Sequence, residues 1–179
     1  TKATDTSVWI VTTNQHTMVL NGDITAYGDL CIKDDKQGSS QNSDLAYFKG
    51  DVNADGWDVN YPCDNRVRWQ GRLVCKSFTA KSGYPGMGVH YFSSSENRIG
   101  TITCLYNSVR AANADVLGGA VWAFPNGSDM EVSRGVLWLL GYSQTLSCLK
   151  GVPGNYCFSV DYNSNSASTL TLTGGVATA

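Results

Sequence analysis

The chain has 179 residues, a net charge of −2 and only 16% charged side chains, which predicts a single domain spanning residues 1–179. Ordinary apolar content with a small net charge excludes an intrinsically disordered protein, and no apolar run approaches the roughly 20 residues of a membrane-spanning helix. An isoelectric point near 5.5 without a basic block argues against a dedicated nucleic-acid-binding protein.

Apolar and polar residues alternate with period two in many segments, a pattern that predicts strands with one buried face. The predicted strands, in chain order, are residues 8–11, 17–20, 24–32, 67–75, 87–91, 120–124, 156–162 and 170–172. Asn21-Gly22 between two of these segments predicts a hairpin turn, and the polar segment 33–44 predicts a long exposed loop.

One segment, residues 104–117, has the spacing of a helix. Leu105, Val109 and Val116 can share a helical face there, and Gly118-Gly119 provides a C-terminal stop. About eight strands, one or two short helices and no recognisable repeat of 20 to 50 residues predict an all-β fold, a single antiparallel β-sandwich or barrel.

Six cysteines occur, at positions 31, 63, 75, 104, 148 and 157. An even number is compatible with disulfides in a secreted protein, whereas strand-like surroundings favour free thiols in the core. The compartment of the protein decides between these alternatives. The first residue is Thr1, not Met, so we expect a terminus produced by processing or by the choice of expressed residues.

The sharpest local pattern is Asp51-Val-Asn-Ala-Asp-Gly56. Asp51, Asn53 and Asp55 occupy positions 1, 3 and 5 of a calcium-loop pattern, and Gly56 occupies position 6. Position 12, which should supply a bidentate carboxylate, is Pro62. We therefore favour a turn that contains Asp55-Gly56 and keep the three residues as candidate Ca²⁺ ligands. No other cofactor is predicted.

Groups that could perform catalysis are scarce, so we expect a protein without enzymatic activity. The only histidines are His16 and His90, and the alternating residues around His90 favour a hydrogen-bonded strand histidine. Glu96 and Glu131 are the only glutamates and would have to form the carboxylate pair of a glycoside hydrolase. Neither lies in a recognisable catalytic motif.

Five tryptophans and nine tyrosines could form a carbohydrate-binding face. Trp69, Trp122 and Trp138 stand in apolar strand segments, which predicts burial in a core or an interface. Trp9 and Trp57 have the polar neighbours expected of a ligand-binding platform.

The order of features from Asn65 onwards resembles the capsid proteins of picorna-like, positive-strand RNA viruses. The most specific part of this resemblance is Trp69-Gln-Gly71, with Lys81 and Tyr84 downstream. It implies an antiparallel, eight-stranded jelly-roll β-sandwich, similar to a small coat protein of plant secoviruses. The His-Gly-Arg-type turn usual in that family is replaced here by residues 85–88, Pro-Gly-Met-Gly.

If the resemblance holds, the protein is a structural subunit of an icosahedral virion that is assembled in the host cytoplasm. Its partners are then copies of itself, sister capsid subunits and, weakly, genomic RNA contacted through Lys2, Lys33 and Arg68, with no membrane partner. The alternative is a secreted, extracellular, lectin-like β-sandwich that binds carbohydrate, with calcium assistance and a glycan on Asn126 of the Asn-Gly-Ser sequon. A glycoside hydrolase is a third hypothesis.

Overall fold

The computed structural model describes residues 8–12, 17–34, 44–62, 66–81, 88–105, 107–123, 136–151 and 167–178. These residues form an all-β structure without a helix. The strands are β1 Val8–Thr12, β2 Met18–Leu20, β3 Ile24–Thr25, β4 Leu30–Asp34, β5 Asp44–Phe48, β6 Val52–Pro62, β7 Arg66–Trp69, β8 Leu73–Lys81, β9 Gly88–Phe92, β10 Arg98–Leu105, β11 Asn107–Ala111, β12 Val121–Ala123, β13 Val136–Trp138, β14 Gln144–Leu146, β15 Cys148–Gly151, β16 Leu170–Leu172 and β17 Val176–Thr178. No helix in this part of the chain could span a membrane.

Every pairing between the described strands is parallel. The first sheet has the strand order β1-β4-β6-β8-β10-β12-β15-β17, with β3 also paired to β6. The second sheet has the order β13-β11-β9-β7-β5-β2, and β14 pairs with β16 in a third. Successive strands alternate between the first two sheets from β4 to β13, so the chain winds as a β-solenoid.

The expectation of an all-β protein is confirmed, whereas the expected antiparallel pairing is wrong for the described strands. Partners in the first sheet, such as Leu30 and Val59, are separated in sequence by a whole coil that passes through the second sheet. Asn21-Gly22 is not a hairpin turn, because β2 and β3 lie in different sheets. Period-two alternation indicates one buried face but carries no information on strand direction, so it fits a parallel coil equally well.

The predicted helix at residues 104–117 is also wrong. Residues up to Leu105 belong to β10, and β11 follows directly. Val109 and Ala111 are fully buried while Arg110 between them is half-buried, which is the alternation of a strand. Hydrogen bonds to the neighbouring coils therefore override the local helical spacing.

The core fills the space between the two large sheets. Phe48, Trp69 and Phe92 are in register on β5, β7 and β9 and point inward. The Phe48 and Trp69 rings are stacked, with centroids 4.2 Å apart and an interplanar angle of 10°. From the first sheet, Phe78 meets Trp69 edge-on at 5.5 Å. Aromatic stacking between coils therefore joins successive turns of the chain along the axis.

Tight corners connect the second sheet to the first. Gly22, Gly50 and Gly71 lie at equivalent corners of three consecutive coils. A Cβ atom on Gly50 would overlap the carbonyl oxygen of Gly22, and one on Gly71 would overlap the carbonyl oxygen of Gly50. Only glycine permits this approach of backbones, so these corners set how closely the coils stack.

Candidate functional site

The candidate calcium ligands Asp51, Asn53 and Asp55 lie immediately before strand β6 and within it. Asp51 precedes β6, and its carboxylate accepts a hydrogen bond from the Arg72 backbone N–H at 2.8 Å and forms an ion pair with the Arg72 guanidinium at 3.1 Å. Asn53 and Asp55 lie on β6, where the Asn53 side-chain oxygen accepts the Asp55 N–H at 3.2 Å. Within the described ranges, no group of three or more His, Cys, Asp and Glu side chains could hold a metal ion.

The predicted turn at Asp55-Gly56 is instead a bulge within a strand. The pairing of β6 with β8 shifts between Ala54 and Asp58, and Gly56 has a φ of 79°, in the left-handed region. Strand β6 continues on both sides of the bulge, and Gly56 provides the left-handed backbone conformation there.

The prediction that His90 is a hydrogen-bonded histidine within a strand is confirmed. Its side chain is fully buried, and the Trp69 indole Nε1–H donates to its Nδ1 at 3.3 Å. Asn107 lies 3.5 Å from its Nε2. Burial lowers the pKa of His90 from 6.5 to about 3, so the ring is neutral. Glu96 lies in the corner before β10 and is exposed; Glu131 and His16 lie outside the described residues.

Trp69 and Trp122 are buried, as predicted, and each is 1% exposed. Trp57 is 39% exposed on the bulge of β6, in agreement with its polar neighbours. Trp138 is only half-buried and points away from the core. The side chain of Trp9 lies outside the described residues.

The described cysteines include free thiols in the core, which is one of the two alternatives that the sequence left open. Cys75 and Cys104 are buried and free. Burial raises the pKa of each thiol to about 12, so neither is a reactive nucleophile. Cys63, Cys157, Asn126 and Lys2, as well as the side chain of Lys33, lie outside the described residues.

The outer face of the second sheet carries a continuous array of functional groups. Strand register aligns one residue from each of five neighbouring strands. We call these residues the arginine–aromatic row: Tyr47, Arg68, Tyr91, Arg110 and Trp138. All five are half-buried, while their neighbours Val67, Trp69 and Val109 point into the core.

The side chains of the arginine–aromatic row stack on one another. The guanidinium carbon of Arg68 lies 4.6 Å from the centroid of the Tyr91 ring, and that of Arg110 lies 5.4 Å from the same centroid. Arg110 also covers the Trp138 ring at 3.6 Å and donates a hydrogen bond to the Tyr91 hydroxyl at 2.9 Å. These cation–π contacts hold the guanidinium groups in fixed orientations on the sheet.

Three arginines lie on this face, and Asp44 of β5 is the strand partner of Arg66. Arg66 and Arg68 both point outward from β7, because Val67 and Trp69 occupy the inward positions. The pKa of Arg110 is lowered, mainly because the side chain is buried. The interaction with Tyr91 raises this pKa, whereas repulsion from Arg66 lowers it further. None of the five residues in the row is acidic. The row can therefore present several hydrogen-bond donors of like charge to a ligand.

A second feature lies on the opposite sheet. A surface depression of about 270 Å³ is lined by residues that include Asp55, Arg98, Gly100 and Gly118. Its lining contains one carboxylate and one guanidinium group. Nothing in it repeats from strand to strand, so it lacks the continuity of the arginine–aromatic row.

Sequence reasoning identifies only part of the row. It predicts an RNA contact for Arg68 and a core or interface position for Trp138, and it does not single out Tyr47, Tyr91 or Arg110. Those three residues join the row only through the pairing of strands that are distant in sequence. Each lies at an outward position of an alternating strand, and that alternation is the signal that the sequence contains.

Comparisons with known proteins do not assign the chain to a family. No family model, curated protein or solved structure matches it.

Proposed function

We propose that the protein is a carbohydrate-binding β-solenoid that binds an extended glycan along the arginine–aromatic row. One observation carries this proposal, namely that five neighbouring strands each contribute an arginine or an aromatic residue to the same line. The proposal retains the carbohydrate-binding function of the lectin-like alternative and replaces its β-sandwich by a solenoid.

The spacing of the row favours a polymer as the ligand. Neighbouring strands are about 4.8 Å apart, so the five side chains extend over about 19 Å. Groups that recur at each strand match a ligand whose own groups recur regularly, as sugars do in an extended chain. Solenoids provide elongated binding surfaces for this reason.

The aromatic rings of the row are covered by arginine side chains, and this favours a glycan over a single-stranded nucleic acid as the ligand. Proteins that bind single strands stack bases on open aromatic faces. In the row, Arg68 lies over Tyr91, and Arg110 lies over Trp138. The guanidinium groups instead offer N–H donors, which suit the hydroxyl and acidic oxygens of sugars.

We propose binding without catalysis. Hydrolysis of a glycosidic bond needs a pair of carboxyl groups at the bound sugar. The row consists of arginine, tyrosine and tryptophan and contains no carboxylate, so a glycan bound along it would meet no general acid from these side chains.

The capsid hypothesis stays a prediction. It depended on the strand order of an antiparallel jelly roll and on the Trp69-x-Gly71 stretch, and the described strands are parallel. Particle formation with sister chains, observed by electron microscopy, would support it. The expected sister subunits, the RNA contacts and the location in a virion likewise stay predictions.

The proposed function is tested by measuring binding to a panel of extended polysaccharides, acidic and neutral, with purified protein. We expect at least one polymer to bind, and we expect Arg68→Gln and Arg110→Gln to weaken that binding about tenfold or more. Arg98→Gln is the matched control, because Arg98 is exposed on the opposite sheet. Loss of binding in the control, or no binding to any polymer, would overturn the proposal.

A further inference from the structure

We infer that the bulge of β6 forms a second sugar-binding site, which takes a short neutral oligosaccharide. Two exposed aromatic residues provide the site, Tyr27 and Trp57, and we call them the bulge platform. Trp57 lies on β6, and Tyr27 lies between β3 and β4 of the same sheet. The arginine–aromatic row belongs to the other large sheet, so this inference does not depend on the proposed function.

Hydrogen bonds on both sides of the bulge place the two platform residues on adjacent segments of neighbouring coils. Before the bulge, the Ala26 backbone N–H donates to the Asn53 carbonyl at 2.8 Å. After the bulge, the Asp58 backbone N–H donates to the Asp29 carboxylate at 3.0 Å. The residues between these two bonds therefore lie side by side, and each coil contributes one ring of the platform.

Both rings of the platform are open to a ligand. Tyr27 is 83% exposed and Trp57 is 39% exposed. Among the described residues, neither ring stacks on another ring or lies under a guanidinium group. A Cβ atom on Gly56 would meet nothing within 4 Å, so the surface next to Trp57 is unobstructed there. The platform differs in this respect from the row, in which arginines lie over aromatic rings.

The size of the platform favours a small ligand over a protein partner. An aromatic side chain has about 150–250 Å² of surface, so the exposed parts of these two amount to about 300 Å² at most. A stable interface between proteins buries about 800 Å² on each partner. A pyranose ring needs far less, because the partly positive C–H groups of one face can lie directly on the negative face of one aromatic ring.

The charges around the platform favour a neutral sugar over a nucleotide or an acidic sugar. Three carboxylates, those of Asp29, Asp55 and Asp58, lie within two residues of a platform ring. The cations on the adjoining strands are Lys76, whose Nζ is 3.5 Å from the Asp58 carboxylate, and Arg98, which lines a depression together with Asp55. Carboxylates accept hydrogen bonds from sugar hydroxyls and repel phosphate, uronate and sulfate groups.

The test measures binding of two neutral, β-linked trisaccharides, one of glucose and one of N-acetylglucosamine, by ligand-observed NMR. We expect at least one to bind, and we expect Trp57→Ala and Tyr27→Ala each to weaken it about threefold to tenfold. Trp57→Phe, which keeps a ring, should retain part of the affinity. Sorbitol carries the hydroxyl groups of glucose without a pyranose ring and should not compete.

Tyr142→Ala is the matched control, because Tyr142 is 41% exposed and lies in the corner before β14, away from the bulge. It should leave trisaccharide binding unchanged, and so should Arg68→Gln on the row. Circular dichroism and thermal unfolding show whether each variant is folded. Tyr27→Ala removes the most exposed ring, so it tests the platform even where Trp57→Ala is unstable.

The outcomes separate the bulge platform from the row and from other ligands. Trisaccharide binding that Arg68→Gln weakens and Trp57→Ala does not would overturn the platform and leave the proposed function intact. Absence of trisaccharide binding, or equal effects of Tyr27→Ala and Tyr142→Ala, would also overturn it. Tighter binding of single-stranded oligothymidylate, lost in Trp57→Ala, would overturn a sugar as the ligand class. A dimer that light scattering detects and that Trp57→Ala dissociates would show that a second copy covers the platform instead.

Discussion

Individual buried residues in this protein are held by contacts between coils that are distant in sequence. His90 accepts the Trp69 indole N–H at 3.3 Å, and the two residues belong to neighbouring strands β7 and β9. Asn97 accepts the Leu73 backbone N–H at 2.7 Å and donates to the Val116 carbonyl at 2.8 Å. Such side chains replace backbone hydrogen bonds at places where the strands turn.

Protonation of His90 is expected to destabilise the protein in acid. The pKa of His90 is about 3 when folded and near 6.5 when exposed. Between these values the unfolded chain binds a proton that the folded chain excludes, so stability is lost as pH falls from 6.5 towards 3. The loss should reach about 2 kcal/mol at pH 5.

Urea unfolding at pH 7 and pH 5 measures this loss. His90→Gln should be less stable than the parent at pH 7 but should show a smaller difference between the two pH values. His16→Gln, which changes the other histidine, should retain the parental difference. An unchanged pH dependence in His90→Gln would contradict the assignment.

Replacement of Asn97 by alanine is expected to cost about 2–4 kcal/mol, because it leaves the Leu73 N–H and the Val116 carbonyl without their buried partner. Asn113→Ala is the comparison, since Asn113 is exposed and should cost no more than about 1 kcal/mol. Chemical denaturation of both variants provides the measurement. Equal effects would show that Asn97 does not bridge the coils.

Among the structural elements, the corner between the two large sheets is the unit that repeats. Leu20-Asn-Gly22, Phe48-Lys-Gly50 and Trp69-Gln-Gly71 each end a strand of the second sheet and precede a strand of the first. The coils between these corners differ in length. The motif Trp69-x-Gly71, on which the capsid resemblance depended, is therefore the third copy of a solenoid corner.

Gly71→Ala is expected to destabilise the protein by about 1–3 kcal/mol, because the new methyl group would overlap the backbone carbonyl of Gly50. Gly22→Ala is the matched control, since a Cβ atom there meets nothing within 4 Å. It should be neutral or slightly stabilising. Thermal unfolding of the two variants distinguishes a packed corner from an ordinary loop, for which both substitutions would behave alike.

In the molecule as a whole, each coil is stacked mainly on its neighbours, so stability should be transmitted along the axis from coil to coil. The arginine–aromatic row crosses five strands of this stack. A ligand bound along the row contacts several coils at once and stabilises them together, since it binds only when they are in register.

A polysaccharide that binds along the row is therefore expected to raise the unfolding free energy of the protein, by about 2.7 kcal/mol at one hundred times its dissociation constant. Thermal scans with increasing polymer measure the effect. Arg110→Gln should show a much smaller increase than Arg98→Gln at the same concentration. An equal increase in both variants would place the ligand elsewhere.

Alternation along single strands was enough to predict the all-β class, the burial of Trp69 and Trp122 and the hydrogen-bonded state of His90. These properties depend on which face of one strand a residue occupies, and that information is local. Only the tertiary structure decided the direction of strand pairing, because parallel and antiparallel strands bury the same alternate residues.

The repeat is hard to recognise in the sequence for a related reason. The coils have no constant period, although an apolar residue two positions before a glycine marks three of their corners. The alternation places Arg68, Tyr91 and Arg110 on the outer face, but the sequence does not show that they are neighbours, because only loops of unequal length bring their strands into register. Local alternation selects the face that a side chain occupies, while hydrogen bonding between coils selects its neighbours.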